Sequence, residues 1–142
     1  MSTNDTFLAI FLASKTSPRM KAWNSLSKEA RLTKMQEGIA AWKAWTDKHH
    51  AAIVGMGGPL GKTKKVSERG IEEATNLMSA YTIVRADSHD AAAKLFENHP
   101  HFTIFPGDSV EVMPVLPIPT ATHLVAYWHI PSAASKDVCF QG

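Results

Sequence analysis

A chain of 142 residues has the length of one domain, and a domain of that size buries roughly 68% of the surface its unfolded chain exposes, enough for a core of its own. Apolar residues at 44% and charged residues at 20% exclude a polar, intrinsically disordered chain. A net charge of +2 gives no basis for a nucleic-acid partner, and the single cysteine, Cys139, excludes an intrachain disulfide and a four-thiolate zinc site.

Cysteine usage of this kind fits a reducing compartment, and the cytoplasm is the expected location. The run Phe7-Leu8-Ala9-Ile10-Phe11-Leu12-Ala13 is too short for a bilayer, which takes about 20 apolar residues, so no membrane partner is expected. Residues 1–6 carry an acid, Asp5, where a secretory leader would carry bases. The run is apolar on both alternating faces, as a strand is when each side of its sheet is covered, and it is read as the first strand.

After Pro18, Ser27 is placed to cap a helix running to about His49. Leu32, Met35, Ile39, Trp42 and Trp45 or Thr46 trace its inner face at three- and four-residue steps. Gly38 inside it implies either a close backbone contact or mere tolerance. Residues 51–56 form a second strand, which Gly57-Gly58-Pro59 is expected to end.

Lys64-Lys65-Val66-Ser67 reads as a weak, exposed strand and residues 79–85 as a strong one, with residues 71–76 between them ambiguous. Asp87, Ser88 and Asp90 open a second helix over residues 91–98, ended by Pro100, with Ala92, Leu95 and Phe96 inward. Residues 109–113 alternate into a last strand, stopped by Pro114, Pro117 and Pro119. The expected order is β-α-β-β-β-α-β. Residues 1–119 form the domain, and 120–142 form a C-terminal extension, in which residues 124–130 offer an added strand and Phe140-Gln141-Gly142 resembles what remains of a cleavable tag.

Gly57-Gly58-Pro59-Leu60, Tyr81-Thr82-Ile83-Val84-Arg85-Ala86-Asp87-Ser88, His99-Pro100-His101 and Gly107-Asp108-Ser109-Val110-Glu111-Val112-Met113-Pro114-Val115 together resemble the YCII-related family, over about residues 7–119. The resemblance implies an α+β fold: a ferredoxin-like βαββαβ-type unit whose sheet meets that of a second copy, so that a homodimer forms an α+β barrel with helices outside. Some relatives use a His and an Asp in a pocket beside the sheet. Here the first-helix position falls near residues 38–40, with no imidazole, and the Asp-Pro step reads His99-Pro100. His101 matches the Pro-His step of another branch.

Gly55-Met56-Gly57-Gly58-Pro59-Leu60-Gly61-Lys62-Thr63 resembles a phosphate-binding loop only superficially, because the spacing fails and no helix follows. His99, placed at the expected helix C-terminus, would be favoured in its protonated form by the unpaired carbonyls there. His101 can act as a general acid or base at neutral pH if something orients it, and Asp87, Asp108 and Glu111 are the candidate carboxylates. His99-x-His101 and His49-His50 each lack the further ligands a metal needs, so neither a metal nor a cofactor is expected.

His101 and His99 are therefore the candidate catalytic residues, and Trp42, Met56, Tyr81 and Phe102 the candidate pocket residues for an unidentified small molecule. Trp42 and Trp45, with Phe102 and Phe105, could line an aromatic ligand pocket or equally be core or dimer contact, and the helical spacing of the apolar stripe favours packing. Two functions follow. One is a small-molecule-binding domain that is non-catalytic or has a divergent pocket. The other is a cofactor-independent enzyme of lyase- or isomerase-like acid-base chemistry using His101; whether the chain is an enzyme is left open by its residues.

Overall fold

A computed structural model describes residues 5–119. The expected strand at residues 124–130, the tag-like end and Cys139 lie outside the described residues, as does the start of the chain.

β1 (Thr6–Leu12) alternates as its sequence requires: Phe7, Ala9 and Phe11 are buried, and Leu8, Ile10 and Leu12 half-buried. It is the centre of an antiparallel sheet in the order β2-β5-β1-β6, with β2 Ile53–Pro59, β5 Met78–Arg85 and β6 Ser109–Pro114. The first-to-last strand order of a ferredoxin-like fold is reproduced, and the fold is α+β. Phe7 lies opposite Val84 on one side and Pro114 on the other, Ala9 opposite Thr82 and Val112, and Phe11 opposite Ala80 and Val110, so these rows share one face. The helices cover that face: α2 (Lys28–Lys48) contributes Trp45, and α3 (His89–Lys94) with the turn after it contributes Ala92 and Phe96 to the core.

α2 begins where expected, with the Ser27 hydroxyl accepting from the Ala30 amide at 3.0 Å, and it ends at a His49 cap. The expected inner stripe holds only in the second half. Trp45 is buried and Trp42 half-buried, but Leu32, Met35 and Ile39 are exposed, Ile39 at 62%. The burial that would have continued the stripe falls instead on Gly38, where a Cβ would stand 2.4 Å from the Phe105 ring. Gly38 is thus a close contact: the Phe105 ring occupies the place a side chain would take.

A short α1 (Pro18–Asn24), capped by Ser17, stands between β1 and α2, where the expected order has no helix. Residues 71–76 resolve into a hairpin: β4 (Gly70–Ala74) pairs with β3 (Thr63–Ser67) as a separate two-stranded sheet. The strand order therefore gains β4, and β3 is not part of the main sheet.

Gly57-Gly58-Pro59 does not end β2. The strand runs through Pro59, with Gly58 opposite Tyr81 and Pro59 opposite Ala80, after two register shifts. Proline is tolerated because β2 is an edge strand with one side free of ladder bonds. Gly57 sits at φ +64°, and a Cβ there would lie 2.0 Å from the Tyr81 carbonyl oxygen. Gly57→Ala combines a left-handed backbone with a main-chain collision, and should cost roughly 2 kcal/mol or more in a urea melt. Unchanged stability would mean that the bulge is free to relax.

Candidate functional site

α3 stops four residues earlier than its sequence pattern implies. Its last turn opens at Leu95, and Asn98 takes φ 58°, a left-handed conformation that asparagine tolerates better than most residues. The chain reverses there and starts a new helix, α4 (Pro100–Thr103), with Pro100 in the first turn, where its missing N–H is no loss.

His99 is consequently the N-cap of α4 and not a C-terminal residue of α3. Its Nδ1 accepts from the His101 amide at 3.0 Å, so the hydrogen-bond pattern leaves the ring proton on Nε2. The expected protonated state is reversed: burial, followed by the neighbouring His101 and His49, pushes the His99 pKa down to about 3. The side chain is wholly enclosed. Trp42 and Trp45 surround it in T-shaped contacts at 4.5 and 4.7 Å, and Phe11 and Phe96 complete the cage. Its Nε2 has no hydrogen-bond partner among the described residues, and aromatic ring faces are the acceptors at hand.

His101, two residues on, faces the sheet. Its Nε2 lies 2.8 Å from the Leu12 carbonyl, which also accepts from the Asp108 amide at 2.9 Å. That carbonyl lies at the end of β1 on its β6 side, opposite Ser109. Gly107 closes the other side, where a Cβ would stand 2.3 Å from Cε1 and Nε2 of the ring. Burial lowers the His101 pKa; the Leu12 hydrogen bond and the Asp108 charge oppose the shift, and Arg19 adds to it. Among the candidate carboxylates, Asp108 is the one that acts on His101, yet its oxygen is taken by the Ser14 amide at 2.7 Å. A main-chain carbonyl, not a carboxylate, orients this imidazole.

A cleft of about 690 Å³ opens between α2 and the β2–β5 side of the sheet. Ile39, Trp42 and Thr46 form one wall, the irregular stretch from Met56 to Pro59 the other, and His101 and Phe105 the end. Of the sequence-derived residues, Trp42, Met56, Tyr81 and His101 border it. Strand alternation puts the Tyr81 side chain with Ile10 on the sheet's opposite face. His99 stands behind the cleft, and Phe102 is not on its wall; Phe105 holds that place, its ring 6.1 Å from Trp42. The interior is apolar. The hydroxyls of Ser79 and Thr82 are committed to the carbonyls of Phe11 and Met56, and the Lys43 amine at the rim pairs with Asp47.

Sequence reasoning did not find Gly107 or the Leu12 carbonyl. Gly107 stood out only as the first residue of the closing-strand resemblance, and a main-chain carbonyl carries no residue-type signal. Trp45, read as packing or pocket, is packing: its indole N–H donates to the Leu95 carbonyl at 2.7 Å. Among the described residues no helix is long and apolar enough to cross a membrane, and no three His, Cys, Asp or Glu side chains are grouped to hold a metal ion.

No family model matches this chain, and no curated protein matches it. Among solved structures it is similar to the 5-chloro-2-hydroxyhydroquinone dehydrochlorinase of Burkholderia phenoliruptrix AC1100 in complex with 2,5-dihydroxybenzoquinone, at 19% identity and a TM-score of 0.45, over 83% of this chain and 97% of that one.

The buried histidines set an acid limit. Because the folded His99 titrates near 3 and the unfolded one near 6.5, the unfolded state holds more protons between those values, and stability falls as pH drops through that window. Its slope should approach about 1.4 kcal/mol per pH unit for His99 alone. Urea midpoints measured from pH 7 to 5 should decline, and His99→Asn, which keeps a capping oxygen but no titrating ring, should flatten the decline. An equal slope in the variant would remove His99 as its cause.

Proposed function

We propose that this chain is a small-molecule-binding domain of YCII-like type that works as a homodimer, with the cleft between α2 and the sheet as its ligand site. The observation that carries the reading is a cleft of about 690 Å³ with aromatic and aliphatic walls, closed at one end by a nearly sealed but reachable imidazole. That size and lining match the usual dimensions of sites for compact organic ligands. The resemblance of His99-Pro100-His101 to a family step supports the same place.

Fragment binding tests it. Compact aromatic fragments that bind at millimolar concentration should perturb the Trp42 indole and Met56 methyl resonances. Met56→Glu, at an exposed position on the cleft lip, should weaken them about tenfold by placing a charge against an apolar ligand. Binding that ignores Met56→Glu would move the site elsewhere.

The homodimer rests on the sheet face turned away from the helices. Leu8, Ile10 and Ile83 are only half-buried there and Met113 is exposed, an apolar surface of the kind soluble monomers seldom leave open. Light scattering at micromolar concentration should give twice the chain mass of 15.5 kDa. A folded monomer would overturn the dimer.

A second reading, proton transfer by His101 without a cofactor, is favoured by one observation. The Leu12 carbonyl fixes the orientation of a ring that burial keeps neutral at pH 7, with its second nitrogen free to take a proton. Turnover of any ligand found, lost in His101→Gln, would select this reading over simple binding.

A further inference from the structure

The shared acceptor at the end of β1 determines what a ligand in the cleft must offer, and this inference rests on the reading that the cleft is the binding site. We propose that the cleft selects neutral ligands that donate an O–H or N–H to Nδ1 of His101, and that Gly107 and the Leu12 carbonyl are positioning elements that keep this lone pair available.

A carbonyl oxygen only accepts, so the 2.8 Å contact with Leu12 puts the ring proton on Nε2 and leaves Nδ1 as a bare acceptor. The ring has little freedom to exchange its two nitrogens. Gly107 leaves no room for even one methyl group against the Cε1–Nε2 edge, and the Phe11 ring meets the imidazole in a T-shaped contact at 5.2 Å. A flipped ring would surrender the hydrogen bond to Leu12. Nδ1 has no partner among the described residues, yet it is not enclosed as His99 Nε2 is; His101, 6% exposed, meets open space on the cleft wall.

Apart from the Thr46 hydroxyl on the α2 wall, the polar side chains that face the interior are committed elsewhere. Ser79 and Thr82 spend their hydroxyl protons on main-chain carbonyls, and Lys43 is held at the rim by Asp47. An anionic group brought inside would face a lone pair and lose its hydration with only the neutral Thr46 hydroxyl to offset the loss. A donor on an otherwise apolar ring would satisfy Nδ1 while its body lies against Trp42, Ile39 and Phe105. The ligand class is therefore a compact ring compound with one N–H or O–H and no charge.

The matched pair indole and 1-methylindole isolates the donor, because the two differ by the N–H and one methyl group. With the full-length protein near pH 7.5, indole should bind in the cleft about tenfold more tightly than 1-methylindole, as perturbation of the Trp42 and Met56 resonances reads out. Long-range 1H–15N spectra should show the His101 proton on Nε2. Gly107→Ala keeps the imidazole but displaces it, and should shrink the preference to about twofold or less; His101→Phe should do the same. Equal binding of the two probes in the cleft, or a proton found on Nδ1, overturns the donor rule and leaves the cleft reading standing. Probes that bind only outside the cleft, or not at all, overturn both. The wild-type comparison decides the question even if either variant fails to fold.

Discussion

Phe11 is the residue on which the architecture converges. As the last inward side chain of the central strand it is fully buried, and its ring meets Trp42 from α2, Phe96 from the turn after α3, and both His99 and His101 from α4. Sheet, long helix and short helix are thereby fixed relative to one another through one ring. Each contact adds the modest gain of an aromatic pair to a large burial of apolar surface. The next residue, Leu12, then turns its carbonyl to the imidazole, so the packing of one residue sets the hydrogen bonding of its neighbour.

Two histidines separated by a single proline meet opposite fates from the same cause. Both are removed from water, and both are thereby kept neutral. His99 uses its acceptor to cap α4 and hides its donor among indole rings, which makes it part of the core. His101 uses its donor on the main chain and keeps an acceptor at the cleft. The N-cap bond from the His101 amide to His99 couples the two, so the chemistry presented to the cleft depends on a cap that never touches it.

β2 is irregular where it borders the cleft. Two register shifts and a left-handed glycine bend the strand away over the stretch that forms one wall. On the other wall, Gly38 lets the Phe105 ring that closes the end of the cleft approach the helix backbone.

The sequence by itself determined what depends on local periodicity and capping. The alternation of residues 7–13, the strong strand from 79 to 85, the Ser27 cap and the Trp42–Trp45 face were all legible, because a side chain's exposure in a strand or helix follows its spacing. It also marked His101, Trp42 and Met56 as residues to watch, though not what surrounds them. Tertiary structure alone decided that the Leu32–Ile39 stripe lies outside the core, that Pro59 continues an edge strand, and that His99 caps a helix N-terminus. It also brought Leu12 to His101 across 89 residues. The reason is physical: periodicity reports which side of an element is apolar, whereas a cap's polarity, a shared carbonyl and the room beside a glycine depend on what another part of the chain places there.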